Sequence, residues 1–185
     1  PIPLSTALAS SRNMVSIRLL QSIGNDYFRS YAERFGFEGS RIDKYLTVAL
    51  GAIEVTPYQL VGAYGAFANG GYRVDPYLIT KVVDRDGKTI LEAQPRKSGD
   101  EKNRIITKEN AAMVDSLLKG VVRSGTARAA QALGRSDIAG KTGTTNDSVD
   151  AWFAGYQPNL VGVAWRGFET GNKSLGAGEF GGGLA

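Results

Sequence analysis

The sequence predicts an α+β domain with an antiparallel sheet flanked by helices. Three observations carry that prediction. Apolar residues recur at helical spacing through the first two-thirds of the chain. Short strand-like segments cluster from Ile138 onwards. Helices first and strands last is the order of an α+β fold. With 185 residues and 42% hydrophobic content, the chain can bury one sizeable core, and residues 1–185 are read as one domain.

Residues 4–24 carry Leu4, Ala7, Leu8, Val15, Leu19 and Ile23 at helical spacing, with Gly24 as the stop and the polar run Ser10-Ser-Arg-Asn13 as an interruption. A second helix is expected from Asp26 to Phe35, with Asn25 as its N-cap and Gly36 beyond its end. Thr56-Pro-Tyr-Gln59 opens a third: a Thr cap, Pro in the first turn and a Gln able to reach back. It carries Leu60, Val61, Tyr64 and Phe67 and stops at Asn69-Gly-Gly71. Residues 77–83 and 88–92 flank Asp84-Arg-Asp-Gly87 as a hairpin. Gln94–Arg104 reads as an exposed loop, and Thr107 caps a helix that ends near Ser124-Gly125. Strands follow at 138–143, 150–156 and 160–168. A glycine-rich tail from Gly171 to Gly183 shows no terminating element. The last element of the fold is therefore expected to be missing.

Composition excludes several chemistries. The chain has no cysteine and no histidine, which removes disulfides, thiolate nucleophiles, Cys/His zinc sites and Ser-His-Asp triads. Proton handling must fall to Lys, Ser/Thr or carboxylates. A net charge of +4 with no Lys/Arg run argues against nucleic acid as a partner. No apolar run is long enough for a membrane span, and no signal peptide opens the chain. Because the chain starts at Pro1, it is expected to be a mature fragment or an excised piece. The carboxylates show no metal-ligand spacing, so neither a metal nor a cofactor is expected.

The densest polar segment is Ala139-Gly-Lys-Thr-Gly-Thr-Thr145. Lys141, Thr142 and Thr144 along a strand edge could hold a carboxylate and a developing oxyanion together, with Gly140 and Gly143 admitting a substrate backbone. A phosphate loop would need Gly five residues before Gly140, where Arg135 stands, and a helix after Lys-Thr, where Gly143 follows. The nucleotide reading is rejected. Without histidine, acyl transfer requires a serine–lysine system, and Ser11 and Asn13 supply a hydroxyl and an amide for it. Taken alone, that Ser-x-Asn reads as a helix cap. Ser116-Leu-Leu-Lys119 spells Ser-x-x-Lys but sits on the polar side of an amphipathic helix and is read as coincidence. Ser124-Gly-Thr-Ala127 reads as a helix C-cap and turn, and Asp147 and Asp150 as turn caps.

Ser11-Arg-Asn13, Lys141-Thr-Gly-Thr-Thr145 and Asp150-Ala-Trp-Phe-Ala-Gly-Tyr156, in that order, resemble the transpeptidase domain of class A penicillin-binding proteins. Ala49–Pro57, Ala63–Gly71, Leu118–Ala127 and Gly181–Ala185 support the likeness, which covers nearly the whole chain. The resemblance implies the fold shared by penicillin-binding proteins and serine β-lactamases, here incomplete at both ends. It implies peptidoglycan D,D-transpeptidation: a Ser-x-x-Lys serine attacks the penultimate D-Ala carbonyl of a stem peptide, D-Ala leaves, and a neighbouring amine takes the acyl group. β-Lactams would trap the same serine.

Carried over by position, Ser11 would relay a proton, Asn13 would hold the acyl side, and Lys141 would supply positive charge. Thr142, Gly143, Thr144 and Thr145 would form the substrate-binding wall, with the Thr144 N–H as half of an oxyanion hole. The nucleophile has no counterpart in this chain and is expected upstream of Pro1, so the chain alone is expected not to acylate. Implied partners are peptidoglycan stem peptides, β-lactams and the remainder of the parent chain. The implied place is the periplasmic face of the bacterial inner membrane. Arg166 stands where the family's strand would carry an apolar or neutral residue. Two alternatives share the fold: a non-catalytic peptidoglycan- or partner-binding module, and a serine β-lactamase, which would want Asp at Arg12.

Overall fold

The computed structural model describes residues 1–170 and 173–184; Gly171 and Ala185, where parts of the tail reading fall, lie outside them. In chain order the elements are α1 (Leu4–Ala9), α2 (Asn13–Ile23), α3 (Asn25–Arg34), α4 (Pro57–Ala68), β1 (Lys81–Val83), β2 (Thr89–Glu92), α5 (Lys108–Ser124), β3 (Ala139–Thr144), β4 (Ala151–Gln157), β5 (Leu160–Arg166) and α6 (Gly181–Leu184). Strands β3, β4 and β5 form an antiparallel meander in that order, which leaves one edge of β3 unpaired within the sheet. The α+β expectation and the strand-rich C-terminal third hold.

Two apolar clusters organise the packing. In the larger, Leu118, Val121 and Val122 of α5 meet Ile138, Ala139 and Tyr156, with Tyr64 and Phe67 of α4 alongside. Helices α4 and α5 thereby seat the sheet on one face. The smaller gathers Leu20 of α2 and Ala32 of α3 with Ile42 and Val48 from the single-turn segments that follow. Helix α4 starts as its sequence requires: the Thr56 hydroxyl accepts the Gln59 N–H at 3.1 Å, and the Gln59 side chain accepts the Thr56 N–H at 2.9 Å.

Several local expectations are corrected. Gly24, at φ +81°, occupies the cap position of α3, because the chain reverses directly between α2 and α3. Asn25 is therefore the first helical residue, and its amide donates to the Lys44 carbonyl. The hairpin is shorter than 77–83 suggests, since β2 offers only four residues to pair and Tyr77–Ile79 face no strand. Its turn is closed by Asp84, whose carboxylate accepts the N–H of Asp86 and of Lys88 at 3.0 and 2.8 Å. The 94–104 segment is not wholly exposed. Asn103 is buried, and Arg104 stacks over the Tyr72 ring at 4.1 Å while pairing with Glu101. Strand β5 stops at Arg166, which is exposed and opposite Ala151. The described part of the tail ends in the single helical turn α6, contrary to the expectation of no closing element.

Candidate functional site

Ser11 sits where backbone chemistry favours glycine. Helix α1 ends with the Arg12 N–H on the Ala7 carbonyl (2.9 Å) and the Ser11 N–H on the Leu8 carbonyl (3.1 Å). That pair of bonds is the Schellman ending, whose left-handed position is occupied here by Ser11 at φ +51°. An L-residue there costs about 1–2 kcal/mol, which glycine avoids. A serine held in this conformation points to a use for its hydroxyl.

The hydroxyl meets Lys141 from the far end of the chain. Lys141 Nζ donates to Ser11 Oγ at 3.0 Å across 130 residues and to the Thr142 carbonyl at 2.8 Å. The period-two alternation of β3 puts Lys141 in the same set as Ala139, which is fully buried against α5, and this accounts for its partial burial. Burial pulls the Lys141 pKa below its ordinary 10.5. No carboxylate lies within 4 Å of its ammonium among the described residues, so no ion pair offsets the desolvation.

Thr142 and Thr144 belong to the alternate set on β3. The Thr142 hydroxyl is 2.6 Å from the Thr126 hydroxyl. The Thr144 hydroxyl accepts the Gly181 N–H at 3.1 Å. Gly143 pairs with Trp152, and a Cβ there would meet the Trp152 Cβ at 3.3 Å. Thr145 departs from the wall. Its hydroxyl accepts the Asp150 N–H at 2.7 Å and its one proton faces the Asp150 carboxylate at 3.4 Å, so it closes the β3–β4 turn. Asp150 also accepts from Trp165 Nε1 at 2.9 Å, in keeping with its reading as a turn holder.

The other candidates stand apart from the Ser11–Lys141 contact. Asn13 opens α2, exposed, two residues from Ser11 and without a side-chain hydrogen bond to Ser11 or Lys141. Gly140 is buried, and a Cβ on it would lie 2.7 Å from the Phe153 ring and 2.9 Å from the Ala154 carbonyl. Its missing side chain therefore serves the sheet and not a substrate. Lys119 is paired with Asp115 at 2.8 Å, and Ser116 is exposed on α5; this is an ordinary helix face. Thr126 and Gly181 were missed in the sequence. Ser124–Ala127 does end a helix, but its threonine reaches β3, and only a pairing of two segments sixteen residues apart reveals this. The site is an open wall. A hollow of about 290 Å³ lies elsewhere, between α4, α5 and the β4–β5 turn.

A serine held by a half-buried lysine beside two hydroxyls on a strand edge can pass a proton and hold an anion. Known proteins share this sequence and fold. The model of the penicillin binding protein transpeptidase domain matches residues 1–165. The chain is 48% identical over 184 residues to penicillin-binding protein 1A of Neisseria gonorrhoeae, covering 100% of this chain and 23% of that protein. The crystal structure of penicillin-binding protein 1A from Haemophilus influenzae superposes with a TM-score of 0.87 at 34% identity, covering 98% of this chain and 32% of that one. The D,D-transpeptidase domain of a peptidoglycan glycosyltransferase from Eggerthella lenta gives 0.71 at 27% identity, covering 91% of this chain and 49% of that one. The chain thus spans about a quarter of the length of the curated relatives it matches.

Two outcomes follow from the strained serine and the half-buried lysine. Ser11→Gly and Ser11→Ala both remove the hydroxyl, but only glycine relieves the left-handed backbone. Glycine should leave the protein about 1 kcal/mol more stable than alanine in denaturant unfolding. Equal stabilities would mean that the turn is unstrained. The folded pKa of Lys141 lies below its unfolded value of 10.5, so between the two the unfolded chain binds more protons. Unfolding free energy of the wild type, relative to Lys141→Met, should therefore rise as pH climbs toward 10.5. Parallel pH curves would show Lys141 to be solvated normally.

Proposed function

This chain belongs to the penicillin-binding protein transpeptidase domain family, and from that premise we propose that it is part of the peptidoglycan D,D-transpeptidase domain of a penicillin-binding protein 1A-like parent. The observation that carries the reading is the 3.0 Å bond from Lys141 Nζ to Ser11 Oγ. It joins two short motifs, each weak alone, into one proton-handling pair.

Each atom has a place in the acyl transfer. A serine outside this chain, activated by the lysine of its own Ser-x-x-Lys, attacks the penultimate D-Ala carbonyl. Because Ser11 accepts from the Lys141 ammonium, its own proton remains available to the departing D-Ala nitrogen, and the proton that the upstream lysine took from the nucleophile replaces it. The cation keeps that hydroxyl in line and offsets charge that develops during proton transfer. Thr142 and Thr144 hold the terminal carboxylate, and the Thr144 N–H faces the oxyanion. Asn13, exposed at the start of α2, holds the acyl side of the donor. An amine on a neighbouring strand then attacks the ester and regenerates the serine. A β-lactam, whose amide and carboxylate mimic D-Ala-D-Ala, acylates by the same route.

Among the described residues no helix is long and apolar enough to cross a membrane. The location assigned to the parent, the periplasmic face of the bacterial inner membrane, is supported by the substrate, which lies outside the cytoplasm. Fluorescent penicillin added to the full-length parent tests the proposal. Labelling should map to a serine outside residues 1–185, and Lys141→Ala should slow it by about two orders of magnitude, the scale of losing one electrostatic stabiliser. An adduct on Ser116, or unchanged kinetics in the variant, would contradict it.

A further inference from the structure

A hydroxyl has one proton, and to hold an anion it must aim that proton at it. Both wall threonines have a polar partner at the hydroxyl. The Gly181 amide can only donate, so its bond to Thr144 Oγ1 occupies a lone pair and leaves the Thr144 proton free. Thr126 Oγ1 lies 2.6 Å from Thr142 Oγ1, a contact in which either hydroxyl can donate. We propose that Thr126 is a positioning residue: it donates to Thr142, so that the Thr142 proton is directed at the substrate carboxylate. The inference deepens the transpeptidase reading and rests on it.

The direction of the Thr126–Thr142 bond follows from the ligand. A carboxylate accepts only, so with an anion on the wall Thr142 must donate outward and take the Thr126 proton into its lone pair. Two hydroxyls aligned head to tail on an anion polarise one another and bind more strongly than either alone.

The surroundings fix Thr126 from both sides. Its N–H donates to the Ala9 carbonyl at 3.0 Å, at the end of α1 and two residues before Ser11. Gly125 makes that approach possible, since a Cβ there would lie 2.3 Å from the same carbonyl oxygen. On the other side, a Cβ on Gly182 would lie 2.3 Å from the Thr126 carbonyl oxygen, so α6 closes directly over the turn. The segment after α5 thus ties the Ser11 turn to the carboxylate wall.

The test compares two probes on the full-length parent: a penicillin with its free carboxylate, and its methyl ester. Thr126→Val should lower the second-order acylation rate for the acid by about 10-fold and that for the ester by less than about twofold, the loss expected for one hydrogen bond to a charged group. Thr126→Ser, which restores the hydroxyl, should recover the acid rate, and Thr126→Ala makes the same comparison if valine prevents folding. An equal loss on both probes, no loss, or failure of serine to rescue would overturn the role of Thr126 while leaving the transpeptidase reading in place. A wild-type parent that takes up neither probe would overturn that reading and this inference with it.

Discussion

The bond between Lys141 and Ser11 is the constraint around which the molecule is arranged. It spans 130 residues of sequence, joins the helical and strand-rich halves, and rests on two unfavourable states. Ser11 is held in a left-handed backbone conformation, and Lys141 is partly withdrawn from water without a carboxylate partner among the described residues. Each state costs free energy by itself. They persist because the surrounding structure overdetermines them: the Schellman ending of α1 fixes the serine, and the packing of Ala139 on α5 fixes the strand that carries the lysine.

The remaining elements serve that arrangement. Helix α5 buries Leu118, Val121 and Val122 against the base of β3, and its C-terminal turn reaches back to Ala9. Phe153 lies over the cross-strand pair Gly140 and Gly155, so the strand that carries Lys141 is packed as closely as its backbone allows. Helix α6 approaches from the other side, its Gly181 amide on Thr144. Three segments distant in sequence thereby converge on a strand of six residues, and the exposed edge of that strand is where chemistry is assigned.

Much of this was legible in the sequence because short-range rules govern it. The Thr56 capping box, the Asp-Gly hairpin turn, the Thr107 cap and the three strands are each specified within a few residues. Ser11, Asn13 and Lys141 were recognisable as motifs, and with histidine and cysteine absent a serine–lysine system was the route left to acyl transfer. The cap of α3 and the fastening of Arg104 over Tyr72 depend on where distant backbone passes, and local rules misread them. Gly140 was assigned to substrate approach because a missing side chain does not say which neighbour needs the space. Thr126 was hidden for a related reason: a helix-ending Ser-Gly-Thr-Ala is a complete local explanation, and only the fold shows the threonine touching Thr142.

Whether Ser11 and Lys141 act as one unit is measured by a double-mutant cycle on penicillin acylation of the full-length parent. If they form one proton-handling pair, Ser11→Ala, Lys141→Ala and the double variant should be impaired to nearly the same degree, because removing either partner already disables the pair. If the losses of the single variants multiply in the double variant, the two residues act independently and do not form a proton-handling pair.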